Sequence, residues 1–169
     1  MIICRALETD LADIVELEND GFDHARWSEN AWGEELTSDD RHVLVSRDMN
    51  GEVTGVATFQ TVEDSADLHR VVVRSDVRGQ GIGRLLVQAG LEWAEAMGAS
   101  QMLLEVEAGN AVAIGLYRNM GFEPIHRRCG YYGGGLPALV MGRPLHQPQG
   151  GVGNAGGDRR SWGLERAGP

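Results

Sequence analysis

Val71-Val72-Val73-Arg74-Ser75-Asp76-Val77-Arg78-Gly79-Gln80-Gly81-Ile82-Gly83-Arg84-Leu85-Leu86 leads from a β-branched run, through three alternate glycines, into a helical apolar pattern. Consecutive valines suit a buried strand. Beyond them Ile82, Leu85, Leu86, Ala89, Trp93 and Met97 recur at three- or four-residue spacing until Gly98 stops the helix. The first N–H groups of such a helix have no acceptor within it. They point the same way and add the positive end of the helix dipole, which makes an anion site. Glycines at 79, 81 and 83 let a ligand come close to the backbone, and Arg74, Arg78 and Arg84 add charge. The spacing excludes a dinucleotide fingerprint, which needs Gly or Ala where Arg84 or Leu86 stands. Two readings remain for the R-x-x-G-x-G pattern by itself: a pyrophosphate loop, or a structural glycine turn into a helix.

On the N-terminal side of this stretch, residues 2–6 read as a short strand. Thr9 is a candidate cap for a helix carrying Leu11, Ile14, Val15 and Leu17. Ser28 caps a second, short helix to about Leu36. Residues 43–47 and 53–62 read as strands around Asn50-Gly51, a strong hairpin signal, and residues 68–73 as the next strand. On the C-terminal side, residues 102–106 form a strand. Asn110 caps a helix bearing Ile114, Tyr117 and Met120, and residues 122–128 and 136–141 close the sheet. A strand meander followed by alternating strands and helices predicts an α/β fold. It is a mixed, mostly antiparallel sheet of about seven strands with helices on both faces. This folded domain spans residues 1–145. Residues 146–169, with seven glycines and few large apolar groups beyond Trp162 and Leu164, are expected to be a disordered tail.

With 169 residues, 42% of them hydrophobic, the chain suits one compact domain. No apolar run approaches the ~18 residues of a membrane span. Met1-Ile2-Ile3-Cys4-Arg5 lacks the long apolar stretch of a signal peptide, so a cytoplasmic protein without membrane contact is expected. Cys4 and Cys129 then stay reduced, and with no CxxC pair and no spaced set among His24, His42, His126 and His146, no metal is expected. All 15 basic residues are arginine, which removes a Walker loop and a Schiff-base lysine. The net charge of −10 argues against direct contact with nucleic acid. Residues 1–64 hold sixteen acids against four arginines, and residues 65–145 seven against eight. One half suits a cationic partner and the other can hold an anion; an ordinary solubilising surface is the competing reading.

Arg78-Gly79-Gln80-Gly81-Ile82-Gly83 resembles the acetyl-coenzyme-A pyrophosphate loop of the GCN5-related N-acetyltransferase (GNAT) superfamily. The resemblance covers about residues 2–145. Within the superfamily it is closest to the ribosomal-protein alanine N-acetyltransferases, the RimI type. It is carried by Trp27-Ser28-Glu29, by Val71 through Leu86, by Leu104-Glu105-Val106 running through Asn110 and Tyr117 to Gly121-Phe122, and by Arg127-Arg128 before Tyr131-Tyr132. It implies the GNAT fold and acetyl-coenzyme A as co-substrate, without a metal. Backbone groups of Val71, Val72 and Val73 would pair with the pantetheine arm. N–H groups of Gly79, Gln80, Gly81, Ile82, Gly83 and Arg84, beside Arg78, would hold the pyrophosphate, and Asn110 would contact the pantetheine besides capping its helix. Arg70 departs from the pattern, standing where a small polar residue is common, and Gly133-Gly134-Gly135 replaces a more polar loop.

Acetyl transfer to an amine needs a neutral nitrogen, an activated carbonyl and a proton for the leaving thiolate. An α-amino group has a reference pKa near 8, so a base assists at neutral pH. Glu105 and Glu107 share one face of their strand, and periodicity does not choose between them. The resemblance implies Glu105 as the base, directly or through water. It also implies Tyr117 as the acid, although by position alone Tyr117 is a core residue with a polar tip. His69 is a possible second base. Trp27, Tyr131 and Tyr132 are candidates to line the acceptor cleft. The implied acceptor is a protein N-terminus followed by basic residues, the N-terminal alanine of a small-subunit ribosomal protein. A polyamine or an aminoglycoside suits the acidic half equally. A coenzyme-A-binding regulatory domain without turnover is the alternative of another class. A monomer is expected.

Overall fold

The computed structural model describes residues 1–23, 25–132 and 136–145, leaving out side chains from 129 to 136. The expected tail from 146 and the Gly133–Gly135 loop lie outside the described residues. The strands are β1 (Ile2–Arg5), β2 (Arg41–Arg47), β3 (Val53–Val62), β4 (Ser65–Val73), β5 (Gln101–Glu107), β6 (Glu123–Tyr132) and β7 (Leu136–Pro144). The helices are α1 (Leu11–Gly21), α2 (Glu29–Thr37), α3 (Ile82–Ala96) and α4 (Ala111–Asn119). The strands form one sheet in the order β1-β2-β3-β4-β5-β7-β6, and only the β4–β5 pair is parallel. This is the mixed, mostly antiparallel α/β sheet that the hydrophobic pattern predicts.

Strand alternation sorts the core into two layers. Val43 and Val45 of β2 pack with Ile14, Leu17 and Trp32 of α1 and α2. Leu44, between them, joins Leu86 and Leu91 of α3 on the opposite face. Ser28 caps α2 by accepting the Ala31 N–H at 3.2 Å, as its position predicts. Thr9 does not cap α1. Glu8–Asp10 forms a 3-10 turn instead, and the Asp10 carboxylate accepts the Leu7 N–H at 2.9 Å and two bonds from Arg47 Nη2 at 2.8 Å. Charge-assisted bonds to a carboxylate outcompete a threonine hydroxyl. The β4 strand also begins three residues earlier than its β-branched run. A tight turn pairs Val62 with Ser65, and Glu63 adopts φ +56° without the glycine that marks such turns.

Two irregularities shape the centre of the sheet. The β4–β5 ladder stops at Leu68 opposite Leu104. Beyond it β4 continues with β3 and β5 continues with β7, so the two strands diverge and leave a wedge. In addition, Thr58 faces Arg70 while Phe59 faces Leu68, so His69 is the extra residue of a β-bulge at the mouth of that wedge. Bulges bend a strand and re-aim its side chains.

Gly90 shows how tightly α3 lies on the sheet. A Cβ there would stand 2.1 Å from the ring of Phe59, which is fully buried. Helix propensity favours Gly90→Ala by about 1 kcal/mol, but overpacking a filled core costs about 1–3 kcal/mol. The clash wins: Gly90→Ala is expected to lower the denaturant midpoint, and an unchanged or raised midpoint would refute this packing.

Candidate active site

Three connected spaces meet where β4 and β5 part. The first is a groove of about 640 Å³ between the β4 edge (Val71, Val72, Val73), the turn from Arg78 to Arg84, and α4. On its α4 side lie Asn110, Val112, Ala113, Leu116 and Tyr117. The second, about 130 Å³, is the wedge itself, bounded by Leu68, His69, Glu105, Glu107, Asn110 and Tyr117. The third, about 480 Å³, opens beyond it against Trp27, Asp67, His69, Arg70, Glu105 and Arg128. The wedge thus lies between the other two, sharing Tyr117 with the groove and His69 and Glu105 with the third space.

The groove has the features of an anion cradle at one end. Gly79 and Gly81 hold φ of +77° and +84°, and a Cβ on either would meet nothing within 4 Å. Their role is backbone conformation and open space. Gly81 caps α3 without a side-chain bond, so the first-turn N–H groups keep no side-chain acceptor at the cap. Arg78, Gly79, Gly81, Ile82, Gly83 and Arg84 line the groove; Gln80 does not. Arg74 does not serve this end either. Its Nε binds Asp76 at 2.7 Å and its Nη1 reaches Glu52 at 3.4 Å. Arg78 Nε donates to the Val73 carbonyl at 2.9 Å, on the strand edge that faces the groove. Asn110 caps α4 by accepting the Ala113 N–H at 3.0 Å and also borders the groove.

In the wedge, Met102, Leu104 and Val106 are buried, while Glu105 and Glu107 share the other face of β5, as alternation predicts. Only Glu105 also reaches the third space, where its Oε1 lies 3.1 Å from Arg128 Nη1. Tyr117 is 8% exposed and packs edge-on against Phe122, with centroids 5.8 Å apart. Its place in the core does not prevent it from bordering the wedge.

The wall of the third space rests on an ion pair that local sequence does not signal. Glu18 of α1 is wholly buried and pairs with Arg70 of β4, 52 residues away. Glu18 also accepts the Trp27 N–H at 2.9 Å. Arg70 donates to the Ala25 carbonyl at 2.9 Å, and its guanidinium lies 3.7 Å from the centre of the Phe22 ring. Ala25 holds φ +54°, so a strained backbone is fastened at this point. Trp27 borders the third space and leans on Trp32 at 5.1 Å. Tyr131 and Tyr132 end β6, and their side chains lie outside the described residues.

The charge surplus of the first 64 residues does not concentrate here. Asp13, Glu16, Asp20 and Glu52 gather with Arg74 and Asp76 round a separate surface groove. The third space instead balances Asp67 and Glu105 against Arg70 and Arg128. The apolar side of α1 faces the core, which turns Asp13, Glu16 and Asp20 outward, Glu18 being the buried exception.

Glu35 of α2 is a second residue that local sequence does not single out. It accepts bonds from Thr58 Oγ1 on β3 and from Arg41 Nε on β2 at 3.1 Å, and lies 3.4 Å from His69 Nδ1. Burial opposes its charge, but these bonds, His69 first, outweigh that and hold its carboxyl below the usual carboxylate range.

Comparison with known proteins agrees with this geometry. Residues 9–122 match the family model described as the acetyltransferase (GNAT) family. The chain is 37% identical over 130 residues to the L-methionine sulfoximine/L-methionine sulfone acetyltransferase of Pseudomonas aeruginosa, covering 68% of this chain and 75% of that protein. It is 33% identical over 122 residues to the [ribosomal protein bS18]-alanine N-acetyltransferase of Escherichia coli K12, covering 70% of this chain and 81% of that protein. The crystal structure of the Escherichia coli ribosomal-protein-S18-alanine N-acetyltransferase superposes with a TM-score of 0.81 at 28% identity, over 90% of this chain and 99% of that one. With the family model matched over most of the sequence and the fold shared with a solved member, the chain belongs to the acetyltransferase (GNAT) family.

Proposed function

We propose that this protein moves the acetyl group of acetyl-coenzyme A to the α-amino group of a protein N-terminus, with the N-terminal alanine of a small-subunit ribosomal protein as the favoured acceptor. The observation that carries the reading is the meeting of two open grooves at one wedge bordered by a carboxylate and a phenol. One groove suits the co-substrate: a strand edge for the amides of a pantetheine arm, then glycine-turn amides with Arg78 and Arg84 for a pyrophosphate. No metal is part of this scheme.

The proposed roles are matched to position. A β4 N–H beside the wedge stabilises negative charge on the thioester oxygen as attack proceeds. Glu105 takes a proton from the attacking nitrogen, directly or through water. Tyr117, bordering groove and wedge alike, gives a proton to the departing sulfur. Trp27 forms a wall for the acceptor, with Tyr131 and Tyr132 proposed beside it.

A small α-amino acid is the second reading, favoured by one observation, the likeness to the methionine sulfoximine enzyme. Acetylation of an Ala-Arg peptide, methionine sulfoximine, spermidine and an aminoglycoside, measured side by side, decides. The peptide is expected to give the highest kcat/KM by at least roughly tenfold, a transition-state preference of about 1.4 kcal/mol. Turnover confined to the small amines would end the first reading, and binding of acetyl-coenzyme A without turnover of any amine would point to a regulatory domain.

A further inference from the structure

An ammonium acceptor must lose two protons, one before its nitrogen can attack and one as the new amide forms. Tyr117 and Glu105 account for only part of this traffic. The proton that Glu105 takes from the attacking nitrogen balances the one that Tyr117 gives to sulfur. The first proton, which makes the free amine, needs another acceptor on the amine's side of the wedge.

We propose that His69 is that acceptor, a catalytic base held in place by Glu35. This rests on the reading of the third space as the amine site. Three observations on the chain support it. His69 is the extra residue of the β4 bulge, so its side chain is set apart from the ladder on either side. It borders both the wedge and the acceptor space, as only a few residues do. Its Nδ1 lies 3.4 Å from Glu35 Oε1, and that carboxylate is itself fixed by Thr58 and Arg41 on two other strands. A carboxylate on Nδ1 keeps the proton there and leaves Nε2 with its lone pair.

The step balances. Nε2 takes a proton from R–NH3⁺ to give R–NH2 and an imidazolium stabilised by Glu35, and the imidazolium returns that proton to solvent through the open acceptor space. Nitrogen then bonds to the thioester carbon, the C–S bond breaks, and the second proton passes by way of Glu105 while Tyr117 protonates the thiolate. The net yield is amide, thiol and one proton. The charged groups round His69 are Glu35 from α2, itself bound by Arg41 from β2, Asp67 and Arg70 on its own strand, Glu105 and Glu107 from β5 and Arg128 from β6, with the Tyr117 phenol on α4. Glu35 is a positioning residue: it touches the imidazole and not the acceptor.

The test is the pH profile of kcat/KM for whichever amine the panel selects. His69→Gln is expected to lower kcat/KM roughly tenfold near pH 7, where only about a tenth of an α-amino group is free base. The deficit should shrink to within about threefold by about pH 9.5, where an amine with a reference pKa near 8 is already free base. Glu35→Gln removes the group that orients the imidazole, so it should reproduce part of the His69→Gln deficit near pH 7. KM for acetyl-coenzyme A should stay within about twofold in both. A deficit of equal size at every pH would mark His69 as structural and overturn the proposal. If no amine is acetylated, the functional reading fails by itself, and nitrogen NMR of His69 still judges the dyad. A proton on Nδ1 that loses its preference in Glu35→Gln upholds the pairing, and a proton on Nε2 in the parent protein overturns it.

Discussion

Arg70→Met is expected to lower the free energy of unfolding by about 3–5 kcal/mol, because it leaves the carboxylate of Glu18 buried without its counter-ion. Glu18 is fully buried, Arg70 is nearly so, and the remaining bond from the Trp27 amide does not neutralise the charge. The double replacement Glu18→Gln/Arg70→Met should recover most of the loss, since swapping a whole buried pair for neutral groups is often close to neutral. The same substitution frees the Ala25 carbonyl and the Phe22 ring, so the acceptor-side segment from Phe22 to Trp27 should loosen with it. Trypsin cleavage after Arg26, followed by mass spectrometry, would then speed up. Urea unfolding within about 1 kcal/mol of the parent, with unchanged cleavage, would show that the pair does not carry the wall of the site.

Tyr117→Phe and Glu105→Gln are each expected to lower turnover roughly 10²–10⁴-fold, the span of a lost acid or base. In barrier terms this is about 3–5 kcal/mol. Each change removes proton transfer but keeps shape: the Tyr117 ring still packs on Phe122, and a glutamine still faces Arg128. Thermal stability should therefore move little while kcat falls, and binding of acetyl-coenzyme A measured by calorimetry should persist. Full activity in both variants would mean that the groups at the wedge are not those that move protons.

Much of the site is legible along the chain where the signal is local. Asn110 both caps α4 and borders the groove, the glycine turn sits where its spacing puts it, and β5 alternation sets Glu105 and Glu107 on one face. Ala113, Leu116 and Tyr117 share one side of α4 by helical spacing. That Glu105 borders both spaces and Glu107 only the wedge is not local, because it depends on the divergence of β4 from β5. Net charge misleads for the same reason: counting acids along residues 1–64 does not say that Asp13, Glu16, Asp20 and Glu52 line a separate groove while Glu18 and Glu35 pair with Arg70 and His69. Thr9 fails as a cap because a partner 37 residues distant from Asp10, the guanidinium of Arg47, decides that turn.

The order of strands and helices, the glycine turn before α3 and the membership of its family were set by short-range periodicity and motif, which depend on neighbours within a few residues. The wedge, the bulge that isolates His69, and the Glu18–Arg70 and Glu35–His69 pairs were decided only by the assembled sheet. Each joins residues from different elements, and no interaction between side chains tens of positions apart leaves a mark on the local pattern of either.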